Sequence, residues 1–187
     1  MTKRIFIIAI PGIGTKEVGF SEGFQKDLEL FAKNTPLQSN YEVIECLPFK
    51  SSQIDDNQQA VFERLDAKNN LGGALSFRKL VMQAFGDGVA FEHNATDINS
   101  PYLKIHGYLR SVFQETYQKM QNFPDSKLVV VAASMSSHIL STYIWDADHG
   151  KGIFKSIPAN KKNNLKNLSY LATVGSNIPL FVSGFSE

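Results

Sequence analysis

Lys127–Ala133 is a seven-residue, almost wholly apolar run that is followed at once by helical spacing over Ser136–Asp146, with Ser134 at the junction. A continuous apolar run of this length reads as a strand buried on both faces, as in a parallel sheet, because half-exposed antiparallel strands alternate instead. A strand passing directly into a helix is the start of a βα unit, and parallel neighbours then require helical crossovers. This one junction therefore limits the chain to an α/β architecture. It also sets Ser134 on a strand-to-helix turn, the setting in which a hydroxyl is presented at the carboxyl end of a sheet.

Three further apolar runs read as strands: Arg4–Ile10, Tyr41–Leu47 and Leu168–Val174. Phe20, Phe24, Leu28 and Phe31 recur at helical spacing after the first of them, and Pro36 stops the pattern. A clearer helix follows Ser100-Pro101, a capping residue and a first-turn proline, with a face of Tyr102, Ile105, Leu109, Val112, Phe113, Thr116 and Met120. The spacing predicts a three-layer α/β/α domain over residues 1–187, with a short, mostly parallel sheet of about four strands. Residues 53–99 exceed what one crossover needs and read as an insertion, containing a helix over Leu71–Phe85 and a Gly86-Asp87-Gly88 break.

The chain has 187 residues, 43% of them hydrophobic, enough for one domain with its own core. A formal net charge of +1 gives no electrostatic footprint for nucleic acid. Five lysines and no acidic residue fall between His149 and Ser186, and Lys151–Lys166 reads as a solvated basic loop. The lone Cys46 lies in a strand-like run and reads as a small core residue, which fits a reducing, cytoplasmic setting. Met1–Ile10 reads as a first strand rather than a leader, and no apolar stretch approaches the ~18 residues of a membrane span.

A serine hydroxyl becomes a nucleophile only with a base to take its proton and donors to stabilise the oxyanion. The strand-to-helix turn exposes Ser134 and aims the N–H of Met135 at the developing charge. The turn doubles back tightly, so the positions two before and two after the serine must be small; Ala132 and Ser136 are small, but each carries a Cβ, and strain is expected there. At the end of the first strand, Pro11-Gly12-Ile13-Gly14-Thr15 is a glycine-containing turn without the lysine and spacing of a phosphate loop. Set beside Ser134 on a neighbouring parallel strand, it supplies the other half of an oxyanion hole. Ile13 N–H is the expected donor, and Gly12 and Gly14 shape the pocket turn.

Together these residues resemble the α/β-hydrolase superfamily, in particular its lipase- and esterase-like branches. Relatives there carry a His-Gly-Ile-Gly-Thr type turn, a Gly-His-Ser-Leu-Gly elbow and a Tyr-x-Trp-Asp stretch. The counterparts here are Pro11–Thr15, Ala132-Ala133-Ser134-Met135-Ser136 and Tyr143-Ile144-Trp145-Asp146, with Thr173–Phe181 as the next strand and its exit. The resemblance spans Lys3–Phe181. It implies a serine hydrolase acting on a small-molecule carboxylic ester or acyl substrate without a cofactor, with Ser134 as nucleophile. The family places its acid and histidine beyond the Thr173–Phe181 region, so a divergent, C-terminally truncated member is expected, its base and acid unassigned.

The histidines read as follows. His138 follows Ser134 by one helical turn and reads as a packing or surface residue; His149 lies beyond the end of that helix; His106 falls off the apolar face and reads as exposed. His93, in the insertion, is the one with freedom to reach a site. Asp146, Asp148 and His149 lack metal-ligand spacing and read as a polar helix exit, so no metal is expected. The alternative is a non-catalytic hydrolase-like scaffold or remnant that binds a partner or ligand. The strand Leu168–Val174 would leave a sheet edge open, and self-association into a homo-oligomer through it is expected.

Overall fold

The computed structural model describes residues 4–12, 17–49, 63–64, 91, 97, 99–157 and 165–176. Among them the elements are β1 (Ile5–Ile10), α1 (Glu22–Ala32), β2 (Tyr41–Glu45), α2 (Pro101–Met120), β3 (Lys127–Ala133), α3 (Met135–His149), a single 3-10 turn (Gly152–Phe154) and β4 (Tyr170–Val174). The four strands form one parallel sheet in the order β2-β1-β3-β4. The sheet and its helical crossovers make a small α/β fold of the expected class. The proposed helix over Leu71–Phe85, the Gly86–Gly88 break and most of the 53–99 insertion lie outside the described residues.

The strand order explains where the layers go. The chain steps from β1 to β2 in one direction, then crosses back to β3 and on to β4 in the other. Parallel crossovers are right-handed, so α1 covers one face while α2 and α3 share the opposite one. The core agrees: Phe6, Ile8 and Ile10 of β1 and Leu128, Val130 and Ala132 of β3 pack with Ile105, Leu109, Val112 and Phe113 of α2 and Ile139, Leu140 and Tyr143 of α3. Burying each such side chain contributes about 1.5–3 kcal/mol. The direction reverses between β1 and β3, and in open α/β sheets ligands bind outside the carboxyl ends of the strands at such a reversal.

Helix α2 begins as its sequence dictates, with Ser100 accepting the Leu103 N–H and Pro101 in the first turn. Its buried stripe is wider than expected and includes His106 and Tyr117. His106 is fully buried, which corrects its reading as an exposed residue. The stripe 106, 109, 113, 116 itself follows the helical period, and His106 belonged to it. Helix α1 differs in the other direction: Phe20 precedes it, and Phe24 and Phe31 are exposed, so its aromatic spacing marks a helix without marking a buried face. Cys46 is buried, and burial pushes its thiol pKa up, as befits an inert core residue.

Candidate active site

β1 and β3 are in register from Ile5 opposite Lys127 to Ile10 opposite Ala132, so the residues that follow each strand emerge side by side. Ser134 extends the strand by donating its N–H to Val174 O at 2.8 Å, then reverses the chain into α3 as its N-cap. To do so it takes φ 51° and ψ −126°. An L-residue at positive φ is strained by clash of its Cβ with the backbone, and a conformation this sparsely populated persists only where its surroundings impose it. The strain thus sits on Ser134 itself, whereas the expectation had placed it at Ala132 and Ser136. The serine makes no side-chain hydrogen bond to cap its own helix.

Both positions two residues from the serine, which the tight turn requires to be small, are packed. Ala132 is fully buried in the sheet. Ser136, also fully buried, turns its extra atoms to use: its hydroxyl donates to Pro11 O, across to the end of β1. Ser137 Oγ in turn donates to Ala132 O at 3.2 Å, back onto β3. Gly12 lies directly against the elbow, and a Cβ built there would stand 3.0 Å from Ser134 Cβ and 3.7 Å from Ser134 Oγ. At that separation a side chain on Gly12 would force the serine to give by a few tenths of an ångström, so glycine is favoured here by close approach rather than by a positive φ. Met135, first residue of α3, is buried beneath the turn, and its N–H belongs to the positive end of the helix.

Ser134, Met135 and Gly12 are therefore brought together. Ile13 and Gly14, the expected oxyanion donor and the second turn glycine, lie outside the described residues, as does His93. The Gly19–Ser21 segment that leads into α1 is held by a residue that the sequence did not single out. Glu45, at the end of β2, accepts the N–H of Gly19 at 2.7 Å, the N–H of Ser21 at 2.9 Å and the Ser21 hydroxyl at 2.7 Å. Burial alone would raise its pKa, but these three hydrogen bonds outweigh it and hold the carboxyl below its usual range. An acidic residue ending one strand, with Ser21 at a helix start nearby, was the available signal.

A second polar cluster lies at the far end of α3. Asp146 is buried and accepts the Tyr102 hydroxyl at 3.0 Å on Oδ2, while His106 Nδ1 stands 3.4 Å from the same oxygen. His106 Nε2 is 3.3 Å from Thr142 Oγ1, and its ring packs among Tyr102, Phe91 and Tyr143. Burial pushes the His106 pKa below its ordinary value despite the pull of the Asp146 carboxylate, so the neutral ring dominates. A Cβ on Gly152, at φ 49°, would run into the Asp146 carboxylate, so the 3-10 turn closes the cluster from outside. Asp148 faces elsewhere and pairs with Lys166 at 3.1 Å, which separates it from Asp146.

His138 is buried and packs edge-on against Phe91, in line with a packing role. His149 is the last residue of α3 rather than one beyond it; its Nδ1 lies 2.8 Å from Trp145 O, and its ring stacks on the half-exposed Trp145. An open groove between α1 and β2, lined by Lys26, Glu29, Leu30, Tyr41 and Val43, lies away from the turn and contains none of the residues gathered there. Among the described residues no helix is long and apolar enough to cross a membrane. No family model, no curated protein and no solved structure matches this chain.

Proposed function

We propose that the protein is a serine hydrolase of the α/β-hydrolase type, acting on carboxylic esters of lipase or esterase substrates, with Ser134 as nucleophile. The observation that carries this reading is the backbone of Ser134, at φ 51° and ψ −126° where β3 becomes α3, with Gly12 against it. That conformation places the serine at the carboxyl end of the sheet, where the strand order reverses, and leaves its hydroxyl unused as a helix cap. Met135 N–H, together with Ile13 N–H from the facing turn, supplies the oxyanion donors in this reading. A fluorophosphonate probe tests it. The wild-type protein should be labelled at Ser134, and Ser134→Ala should lower the labelling rate by at least ~10³-fold. An unlabelled wild-type chain, or equal labelling of Ser134→Ala, overturns the reading.

One observation favours a second reading, a hydrolase-like scaffold that works by association. Among the described residues β4 forms one edge of the sheet, and Tyr170, Leu171 and Val174 are 67%, 42% and 59% exposed. The strand carries no charge and no proline, the devices by which edges ordinarily resist pairing. On this reading two copies pair through β4. Sedimentation should then show a dimer that Leu171→Lys converts to monomer; a wild-type monomer at the highest attainable concentration excludes it.

A further inference from the structure

Trp145 is the single tryptophan of the chain, and it stands 53% exposed on α3, two residues after the fully buried Tyr143. Tryptophan is highly buried on average, so an indole left half in water marks this end of the helix. Its surroundings are cationic. Residues 145, 148 and 149 share one face of α3: the His149 ring stacks on the indole with centroids 4.4 Å apart, and Asp148 pairs with Lys166 at 3.1 Å. The chain then turns through Gly150, and the Lys151 N–H closes on Asp146 O at 2.9 Å, which fixes Lys151 to the same helix end. Lys155 follows the 3-10 turn, and both it and Lys151 are exposed with no carboxylate partner among the described residues. Asp146 is buried and turned inward to Tyr102 and His106, so this segment presents three lysines against one outward aspartate, itself paired.

We propose that the carboxyl end of α3, with Trp145, Lys151, Lys155 and Lys166, is a docking surface for an anionic lipid bilayer. Charge complementarity selects the partner: the ammonium groups meet the headgroup phosphates while the indole enters the boundary between headgroups and acyl chains, where amphipathic rings are at home. A bilayer fits this surface better than nucleic acid does. Stacking of bases needs open aromatic faces, and His149 already takes one face of the only indole. A net charge of +1 gives the chain no field to gather a polyanion, whereas a bilayer acts on a local patch within about a Debye length of its surface. Trp145 lies ten residues after Met135, roughly 15 Å along α3 from the Ser134 elbow. Docking there holds the protein at a membrane without covering the serine, and it does not depend on whether Ser134 reacts.

Tryptophan emission reports on this surface alone, because the chain has no other indole. At low salt, vesicles of phosphatidylglycerol mixed with phosphatidylcholine should shift the emission to shorter wavelength, and acyl-brominated lipid in them should quench it. Phosphatidylcholine vesicles alone should do neither. In co-sedimentation with the mixed vesicles, Lys151→Gln combined with Lys155→Gln should weaken binding about thirtyfold, the equivalent of ~1 kcal/mol for each lysine near an anionic surface. Trp145→Ala should weaken it about tenfold, as half an indole no longer leaves water. All three side chains are exposed, so these variants should unfold at the wild-type denaturant midpoint and keep the wild-type fluorophosphonate rate in solution. An emission unmoved by anionic vesicles, an equal shift with phosphatidylcholine alone, or undiminished binding of the double lysine variant overturns the proposal. Soluble glycerophosphoglycerol and a DNA duplex should leave the emission unchanged; an equal shift with either overturns the bilayer as the occupant. A wild-type chain that is not labelled by the fluorophosphonate removes the hydrolase reading and leaves the vesicle measurements to decide the docking surface.

Discussion

Helix α3 carries polar side chains at both ends, and the two groups are built on opposite terms. At the first turn Ser134 is half-buried, strained at φ 51° and not engaged as a cap. Eleven residues after Met135, roughly 16 Å along a helix rising 1.5 Å per residue, the buried Asp146 accepts the hydroxyl of the half-buried Tyr102 and lies 3.4 Å from Nδ1 of the buried His106. Residue identity alone points to the wrong group, because a histidine beside an aspartate is the usual mark of a base and its orienting acid. A base must be reached by the proton it takes, however, and His106 has no exposed surface. Its burial favours the neutral ring and a fixed partner, which joins α2 to α3. Strain and access mark the candidate for chemistry, while burial and close packing mark the joint.

The largest effect should come from breaking that joint. Asp146→Ala removes the acceptor of the half-buried Tyr102 hydroxyl and the carboxylate beside the fully buried His106 ring. About 3 kcal/mol of unfolding free energy should be lost, measured by chemical denaturation. The fluorophosphonate reactivity of the folded variant should stay at the wild-type level. A variant of undiminished stability that no longer reacts would reverse the comparison and assign the cluster to the chemistry.

Much of this arrangement was legible in the chain and some was not, for identifiable reasons. The βα junction at Ser134 and the four strands were readable because apolar runs and their periods are local signals, and the crossovers then restrict the topology. The Ser100-Pro101 start of α2 was readable because capping is decided by adjacent residues. His106 was misread because a polar residue on a helical stripe looks solvent-facing until its partner is known, and that partner, Asp146, is forty residues away. The Ser136 and Glu45 hydrogen bonds were illegible for the same reason: they join segments 125 and 24–26 residues apart. The strain at Ser134 was placed two residues off on each side because glycine signals a tight turn without saying which residue takes the unusual dihedrals.

The second prediction uses pH to sharpen the contrast. Burial lowers the pKa of His106 from its ordinary 6.5, so the unfolded chain binds the proton more tightly than the folded one. Stability from this group is therefore fully present above pH 6.5 and is lost as pH falls through the folded value. Denaturation midpoints of the wild type should decline on that acid limb, and His106→Gln should flatten it. Glu45, whose pKa is lowered by its hydrogen bonds, contributes in a separate window: its share is present above 4.5 and is lost as pH falls through the lowered value. A wild-type chain that gained stability on acidification from pH 7 to 5.5, with His106→Gln losing the gain, would mean that Asp146 outweighs burial and draws the proton on.

The smallest effect bears on the elbow. Ser134→Gly and Ser134→Ala both remove the hydroxyl, but only glycine relieves a positive φ, because alanine keeps the Cβ that clashes. A conformation of this kind costs an L-residue about 1–3 kcal/mol, and glycine gives back part of the gain through its freer unfolded chain. The glycine variant should thus be about 1 kcal/mol more stable than the alanine variant, with neither reacting with the probe. Equal stability of the two would show an unstrained turn at Ser134, and the elbow would then be an ordinary helix start no different in kind from the distal cluster. A more stable but unreactive glycine variant would instead show the serine held in place against its own backbone preference, which is the stability–function opposition expected at a working site and absent from a structural joint.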